Sequence, residues 1–323
     1  MRHGLVLASS LVAVVLASGI GVAACGSNTS RNQFGAGDDS DAGFEAGNSL
    51  PTTPPCAGLD CAVAKCDNGG TTTLTGKVYD PAGANPLYNV MVYIPGGVNG
   101  DAPLEQFADF GTPVTCDTCA STTVNPMRAT LTDEKGEFTL KDVPVTKSVP
   151  IVVQVGKWRR KTTVDITKKC DVNEVPSDQK LRLPKNGTEG DMPHIAVTAG
   201  GCDALECLLR GIGVDDSEFV AGDDPNGHVH VFKGEGGIGV PGAPAAGGST
   251  SNPMGGELWN DLNKINVYDM VMLSCECSEN NENKGGNASK PMSGAIFDYA
   301  NMGGRVFATH YHYTWFKNSV QPP

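Results

Sequence analysis

Two pairs of histidines, each with one residue between its members, are the clearest candidates for chemistry in this chain: His228 with His230, and His310 with His312. Residues two apart on a β-strand project to the same face, so each pair is suited to hold one metal ion. The sequence assigns no third ligand to either pair, and two ligands do not make a site. We therefore predict no metal, no cofactor and no catalytic residue, and keep only His310 and His312 as candidate metal ligands.

Cysteine usage indicates an oxidising compartment. Apart from Cys25, the chain has six cysteines before residue 171 and four after residue 201, and two even groups predict two separately cross-linked halves. The spacing leaves the pairing open within each group. A zinc knuckle at Cys116 and Cys119 is the alternative, but no second pair with a two-residue gap accompanies it. The candidate disulfide cysteines are Cys56, Cys61, Cys66, Cys116, Cys119, Cys170, Cys202, Cys207, Cys275 and Cys277.

The N-terminus has the pattern of an export signal. A basic Met-Arg-His start precedes an uncharged apolar stretch over residues 5–20, which is short for a membrane span. The sequence Val-Ala-Ala-Cys at residues 22–25 resembles the bacterial lipobox, in which the cysteine is acylated and becomes the mature N-terminus. The resemblance implies a signal peptide over residues 1–24, lipidation of Cys25 and, because Gly26 follows, sorting to the outer membrane. Cleavage after Ala24 by an ordinary signal peptidase is the alternative.

The segment after the lipobox has the composition of a linker. Residues 25–55 are rich in small and polar residues with few that could build a core, and residues 56–70 form a cysteine-containing connector. The chain carries 24 Lys and Arg against 36 Asp and Glu, a formal charge of −12. Such an acidic chain suits neither nucleic acid nor an anionic lipid surface, so the predicted membrane contact is through the lipid alone.

Residues 71–184 show the two-residue periodicity of β-strands. Val90, Val92 and Ile94 fall on one face of a strand, and the sequence Asp-Glu-Lys-Gly at residues 133–136 predicts the turn of a β-hairpin. Short strands with Gly and Pro turns and no helical pattern predict an antiparallel β-sandwich.

This region resembles the carboxypeptidase regulatory-like domain. The sequences Leu-Thr-Gly-Lys-Val-Tyr-Asp-Pro at residues 74–81 and Thr-Asp-Glu-Lys-Gly-Glu-Phe at residues 132–138 carry the resemblance, in the family's order. It implies a transthyretin-like sandwich, grouped with carbohydrate-binding-like folds, that serves as an accessory module without catalytic residues. The chain departs from the family's pattern by an insertion over residues 96–124, which contains Cys116 and Cys119.

Residues 190–323 alternate apolar strands with helical segments, which predicts a small parallel α/β domain. Asp203 and Glu206 are predicted to cap the first of its helices. The Tyr-Asp strand at residues 268–273 and the Gly-Gly strand that starts at residue 303 resemble the class I glutamine amidotransferase-like fold. That resemblance places His310 where the family has its nucleophilic cysteine, and the chain ends before the family's downstream base. It therefore implies an incomplete domain without glutaminase activity.

The sequence thus predicts a multidomain chain: an antiparallel transthyretin-like sandwich and a partial α/β domain behind a signal peptide and tether. The predicted function is a structural or binding role in the cell envelope, with lipid anchoring in the outer membrane and a glycan or envelope protein as partner. The alternative is a hydrolase or metal-dependent enzyme with its site near His310 and Cys275. Because the chain ends at Pro323, on what the resembled fold has as an inner strand, the sequence predicts one of three outcomes: a homodimer through that strand edge, an unstable C-terminal half, or a chain truncated from a longer ancestral form.

Overall fold

A computed structural model describes residues 56–114, 125–222, 224, 226–237, 256–284 and 294–318 of the chain. The predicted signal peptide, the predicted lipidation site Cys25, the predicted tether, Cys116 and Cys119 lie outside these residues. The described part is mostly β-sheet with few, short helices, which confirms the coarse prediction of a β-rich chain. None of these helices has the length and apolar character needed to cross a membrane.

The described strands form three sheets. In chain order they are β1 (Thr73–Tyr79), β2 (Met91–Ile94), β3 (Arg128–Leu131), β4 (Glu137–Lys141), β5 (Val149–Val155), β6 (Trp158–Val164), β7 (Val172–Glu174), β8 (Leu181–Arg182), β9 (Ile195–Ala199), β10 (Phe219–Ala221), β11 (Val229–Lys233), β12 (Met270–Leu273) and β13 (Arg305–Ala308). The α-helices are α1 (Leu205–Gly211), α2 (Gly256–Trp259), α3 (Leu262–Ile265), α4 (Ala295–Asn301) and α5 (Thr314–Lys317).

Strands β1–β8 form two sheets that share one core. In the first, β1 pairs antiparallel with β4 and parallel with β7 and then β8. The second has the order β3-β2-β5-β6 and is antiparallel throughout. Alternate side chains of both sheets meet between them, among them Leu74 and Val78 of β1 and Ile151 of β5. The parallel pairings of β1 mean that this part is not the purely antiparallel sandwich predicted.

The turn at residues 133–136 is a corner between the two sheets. Asp133 accepts backbone N–H bonds from Lys135 and Glu137 at 2.9 and 2.8 Å, and Gly136 has a φ of +72°, as expected for a tight turn. However, β3 pairs with β2 while β4 pairs with β1. The predicted hairpin is therefore wrong, because the same turn chemistry serves a chain that passes from one sheet to the other.

The insertion over residues 96–124 packs, in its described part, against the outer face of the second sheet. Arg159 of β6 is 2% exposed; its guanidinium donates to the Glu105 carbonyl at 2.7 Å and lies 4.3 Å from the centre of the Phe107 ring. Further along, the Val114 N–H donates to the Asn266 carbonyl at 2.6 Å. The insertion therefore connects the sandwich to the third sheet.

The third sheet has the order β10-β11-β9-β12-β13, and every described pairing in it is parallel. All five residues of the central strand β9 are buried, as a strand covered on both faces requires. Helix α1 contributes Leu205 and Leu209 to the core on one face, and α2–α5 contribute to the core on the other. The short strand β10 is an addition that the sequence pattern did not predict.

Candidate functional site

The carboxyl ends of β9 and β12 form a switch point of the parallel sheet. The chain leaves β9 towards α1 on one face, whereas it leaves β12 towards α4 on the opposite face. Open α/β sheets bind ligands in the crevice that such a divergence opens. The loops at residues 200–203 and 274–277 therefore form the first place to look for a site.

These two loops are held together covalently and by close packing. A disulfide joins Cys202 to Cys277, and the Cys202 N–H donates to the Cys275 carbonyl at 3.0 Å. A side chain at Gly200 would collide with the Cys275 carbonyl, so only glycine permits this approach. The disulfide and the backbone contact therefore hold the two loops against one another at this edge of the sheet.

Asp203 binds residues of two neighbouring loops instead of capping a helix. Helix α1 begins at Leu205, and its N-terminus has no side-chain cap. The Asp203 carboxylate accepts a hydrogen bond from the Thr309 hydroxyl at 2.5 Å and one from the Cys275 N–H at 3.4 Å. The predicted capping pair of Asp203 and Glu206 is therefore wrong, since partners distant in sequence bind this carboxylate more favourably than the adjacent helix end does.

His310 and Cys275 complete a group of three potential ligands with Asp203. His310 follows β13 with a φ of +36°, a left-handed conformation that a residue other than glycine rarely adopts. Its Nδ1 lies 3.6 Å from Asp203 Oδ2, and its side chain is 71% exposed. The Cys275 thiol is free and buried. One donor atom from each of the three side chains lies within 4.8 Å of the others.

His312 does not join this group. Strand β13 ends at Ala308, and His310–Tyr313 form a 3-10 helix, so the two histidines do not share a strand face as predicted. His312 Nε2 donates to the Ser274 carbonyl at 2.9 Å, and its Nδ1 accepts from Trp315 Nε1 at 3.2 Å. Burial lowers the pKa of His312 to about 4, so the ring is neutral and structural.

Each disulfide among the described residues lies within one of the two predicted halves. Disulfides join Cys56 to Cys61, Cys66 to Cys170 and Cys202 to Cys277. Cys207 and Cys275 are instead free thiols, the first exposed on α1 and the second buried at the sheet edge. The prediction that all four cysteines of the second half are cross-linked is wrong for these two.

Exposed aromatic side chains are concentrated in β13 and the segment that follows it. Among the described residues, five aromatic side chains are exposed, and four of them fall within residues 307–316; the fifth, Tyr88, lies on the sandwich. The Tyr311 and Tyr313 rings are 6.3 Å apart and inclined by 37°. We call Phe307, Tyr311, Tyr313 and Phe316 the aromatic surface.

A polar groove of about 520 Å³ runs over the outer face of β1 and β4. Its charged groups already bind one another or the backbone: Lys77 pairs with Glu137 at 3.0 Å, while Lys180 donates to the Gly83 carbonyl and lies 5.1 Å from the centre of the Tyr79 ring. The groove therefore offers a ligand few unengaged groups.

The other histidine pair belongs to a cluster at the amino edge of the parallel sheet, away from the crevice. His228 Nδ1 contacts Glu218 at 2.5 Å, and His230 Nδ1 contacts the Tyr268 hydroxyl at 2.8 Å. His194, which the sequence did not single out, stacks on Phe110 at 4.6 Å. Because their Nδ1 atoms bind different partners, His228 and His230 are not arranged as two ligands of one metal ion.

This cluster predicts acid sensitivity. Burial, with His228 and His230 close by, lowers the pKa of His194 from 6.5 to about 4. The unfolded state therefore takes up this proton first, and stability that is complete above pH 6.5 falls as the pH drops towards 4. We expect His194→Phe to flatten the decline of the unfolding free energy measured in urea between pH 6.5 and 4. An unchanged slope in the variant would contradict this origin.

Comparison with known proteins assigns no family. No protein-family model matches the chain, and no curated protein matches it. Two solved structures of interface mutants of a type II cohesin–X-dockerin complex from Acetivibrio cellulolyticus are similar to 45% and 47% of the chain, over 85% and 78% of their own, at 14% and 15% identity and TM-scores of 0.23 and 0.21. The dioxygenase domain of a dioxygenase–carbohydrate-binding protein fusion from Streptomyces sp. SirexAA-E matches 46% of the chain and 95% of its own at 17% identity and a TM-score of 0.17. Likeness at this level establishes neither fold family nor function.

Proposed function

We propose that this chain is a lipid-anchored protein of the bacterial cell envelope that binds glycan through its aromatic surface. The concentration of exposed aromatic side chains within residues 307–316 carries the binding part of the proposal. Soluble proteins rarely leave large apolar rings together in water without a partner that covers them. The lipobox-like sequence at residues 22–25 and three disulfides in the described part support the envelope location, because disulfides persist in oxidising compartments.

The chemistry of the surface favours a sugar over an apolar partner. Its two tyrosines combine an apolar ring face with a hydroxyl, which suits the apolar and hydroxylated faces of a pyranose ring. Tyr313 donates its hydroxyl proton to Glu279, which also pairs with Lys317 at 3.0 Å, so charged groups border the rings. Glu279 and Lys317 can hydrogen-bond the hydroxyl groups of a glycan. An apolar protein surface laid over the rings would instead leave these polar groups without partners.

Sedimentation with purified peptidoglycan sacculi and with extracted envelope polysaccharide tests glycan binding. We expect the protein to sediment with at least one of them, and Tyr311→Ala and Phe316→Ala to weaken binding about tenfold or more, as loss of a central aromatic contact does. Tyr88→Ala, which removes an exposed ring on the sandwich, is the matched control and should bind as the unaltered protein does. Equal binding by all variants, or capture of an envelope protein with no glycan binding, would overturn the glycan assignment.

The lipid anchor has its own test. Cys25→Ser should move the protein from the membrane fraction to the soluble fraction of the envelope, because the acidic surface offers no electrostatic attraction to anionic lipid. Retention of Cys25→Ser in the membrane fraction would contradict lipidation as the anchor.

The predicted homodimer is a separate proposal. The described β13 is an edge strand with Phe307 exposed, which is the surface such a dimer would use.

A further inference from the structure

We propose that Asp203, Cys275 and His310 bind a zinc ion at the switch point of the parallel sheet, with a fourth coordination position open. This inference goes beyond the proposed function and rests on different residues. Carboxylate oxygen, thiolate sulfur and imidazole nitrogen are the donors that Zn²⁺ takes in proteins, and three protein ligands with one open position are typical of sites that bind water or a substrate.

The distances fit a small contraction around an ion. Donor atoms in a tetrahedral zinc site lie about 3.5 Å apart, given bond lengths of about 2.0–2.3 Å. Asp203 Oδ2 and His310 Nδ1 are already 3.6 Å apart, and all three donors lie within 4.8 Å of one another. The His310 side chain is mostly exposed, so few packed neighbours oppose a small inward rotation, while the disulfide between Cys202 and Cys277 holds the loops that carry the other two ligands.

The arrangement fits a metal ion better than a nucleophilic cysteine with a histidine base. In such a relay the carboxylate binds one imidazole nitrogen and the nucleophile binds the other. Here a single donor nitrogen of His310 lies near both the Asp203 carboxylate and the Cys275 thiol, so the three donors converge on one point. Cys275 is also only 2% exposed, which shields the thiol from oxidation but would hinder its attack on a substrate.

Neighbouring groups orient the ligands as zinc sites require. The Thr309 hydroxyl donates to Asp203 Oδ2 and so fixes the orientation of the carboxylate. The Cys275 N–H donates to the same Oδ2. Binding deprotonates the Cys275 thiol, and its proton passes to solvent as the sulfur–zinc bond forms.

Titration of the untagged, detergent-purified protein with Co²⁺, followed by displacement with Zn²⁺, tests the site. We expect a near-ultraviolet thiolate–cobalt charge-transfer band that Zn²⁺ abolishes. Cys275→Ser should lose the band, and Cys207→Ser, which removes the other free thiol, should keep it. Asp203→Asn and His310→Asn should weaken cobalt binding by at least about 100-fold, the upper end of what an outer-shell contact costs. Asparagine at 310 tolerates the left-handed backbone and removes the imidazole.

A second pair of variants tests whether Thr309 acts by orienting the Asp203 carboxylate or only by filling space beside it. Thr309→Val should weaken cobalt binding by about 10–100-fold, while Thr309→Ser, which keeps the hydroxyl, should bind as the unaltered protein does. A charge-transfer band that survives in Cys275→Ser would overturn the zinc site. So would a cobalt affinity in Asp203→Asn and His310→Asn equal to that of the unaltered protein. Because cobalt binding is measured without glycan, its failure and the failure of glycan binding are distinguishable.

Discussion

Lys284→Met should destabilise the folded chain by about 3–5 kcal/mol, the usual cost of removing one partner from a buried ion pair. The side chains of Lys284 and Glu276 are each 1% exposed, and Lys284 Nζ donates to Glu276 Oε2 at 2.5 Å. Glu276 also accepts from the Glu235 N–H at 2.8 Å, and Lys284 lies 5.1 Å from the centre of the Trp259 ring. Without the ammonium group, a buried carboxylate is left with neutral partners only, and the midpoint of denaturant unfolding should fall accordingly.

Two further variants test whether this loss comes from burial of the pair. Lys317→Met removes an exposed partner of Glu279, so its effect on stability should be far smaller, because water and salt screen an exposed ion pair. Adding Glu276→Leu to Lys284→Met removes the orphaned charge and should restore part of the lost stability. If Lys284→Met and Lys317→Met have equal effects, or if the double variant is less stable than Lys284→Met, the ion pair is not the source of the loss.

Replacing Cys66 and Cys170 together by serine should lower the unfolding free energy by about 4–5 kcal/mol, as the chain-entropy model gives for a loop of this length. The two cysteines are 104 residues apart, so the disulfide constrains most of the sandwich sequence in the unfolded state. It also fastens the connector at residues 56–70 to the turn before β7. The difference in unfolding free energy between the unaltered protein and the double serine variant, measured under non-reducing conditions, gives the contribution of this disulfide to stability.

The disulfide between Cys56 and Cys61 is the matched control. Its cysteines are only five residues apart, so the same model gives it about 2 kcal/mol. Removing it should therefore cost roughly half as much as removing the long-range disulfide. Equal losses for the two serine pairs would show that loop closure is not the main origin of the stabilisation.

Local periodicity predicts the longer strands but not the short strands β7, β8 and β10, and it cannot predict which strands pair. The apolar residues of β9 and β12 fixed their place in a buried sheet, since only a covered strand is apolar on both faces. The turn at residues 133–136 looks the same in a hairpin and in a corner between sheets. Whether the turn closes a hairpin or passes between sheets depends on β1 and β2, with which the flanking strands pair, and these lie more than 30 residues earlier in the sequence.

The candidate zinc site was only partly visible in the sequence. The sequence points to His310 and Cys275, but it pairs His310 with His312 because the pattern predicts a strand through both. It predicts a helix cap at Asp203, because the hydrogen-bond partner Thr309 lies 106 residues away. Short-range patterns cannot reveal a ligand that the fold brings in from another loop.

The site and the aromatic surface adjoin one another at the end of β13. His310 lies next to Tyr311 in the 3-10 helix, and both side chains are exposed. An ion held at His310 would therefore be close to any glycan that stacks on the rings. The proposed zinc site and the proposed glycan-binding surface are therefore neighbours, although each has its own experiment.

The intact mass of the protein, extracted with detergent from its own membrane, tests the central proposal of a lipid-anchored envelope protein most directly. We expect a polypeptide that starts at Cys25, carries acyl chains and retains its disulfides, with the acyl groups confined to the N-terminal peptide after digestion. A chain that retains residues 1–24, or one that starts at Cys25 without acyl groups, would contradict the account.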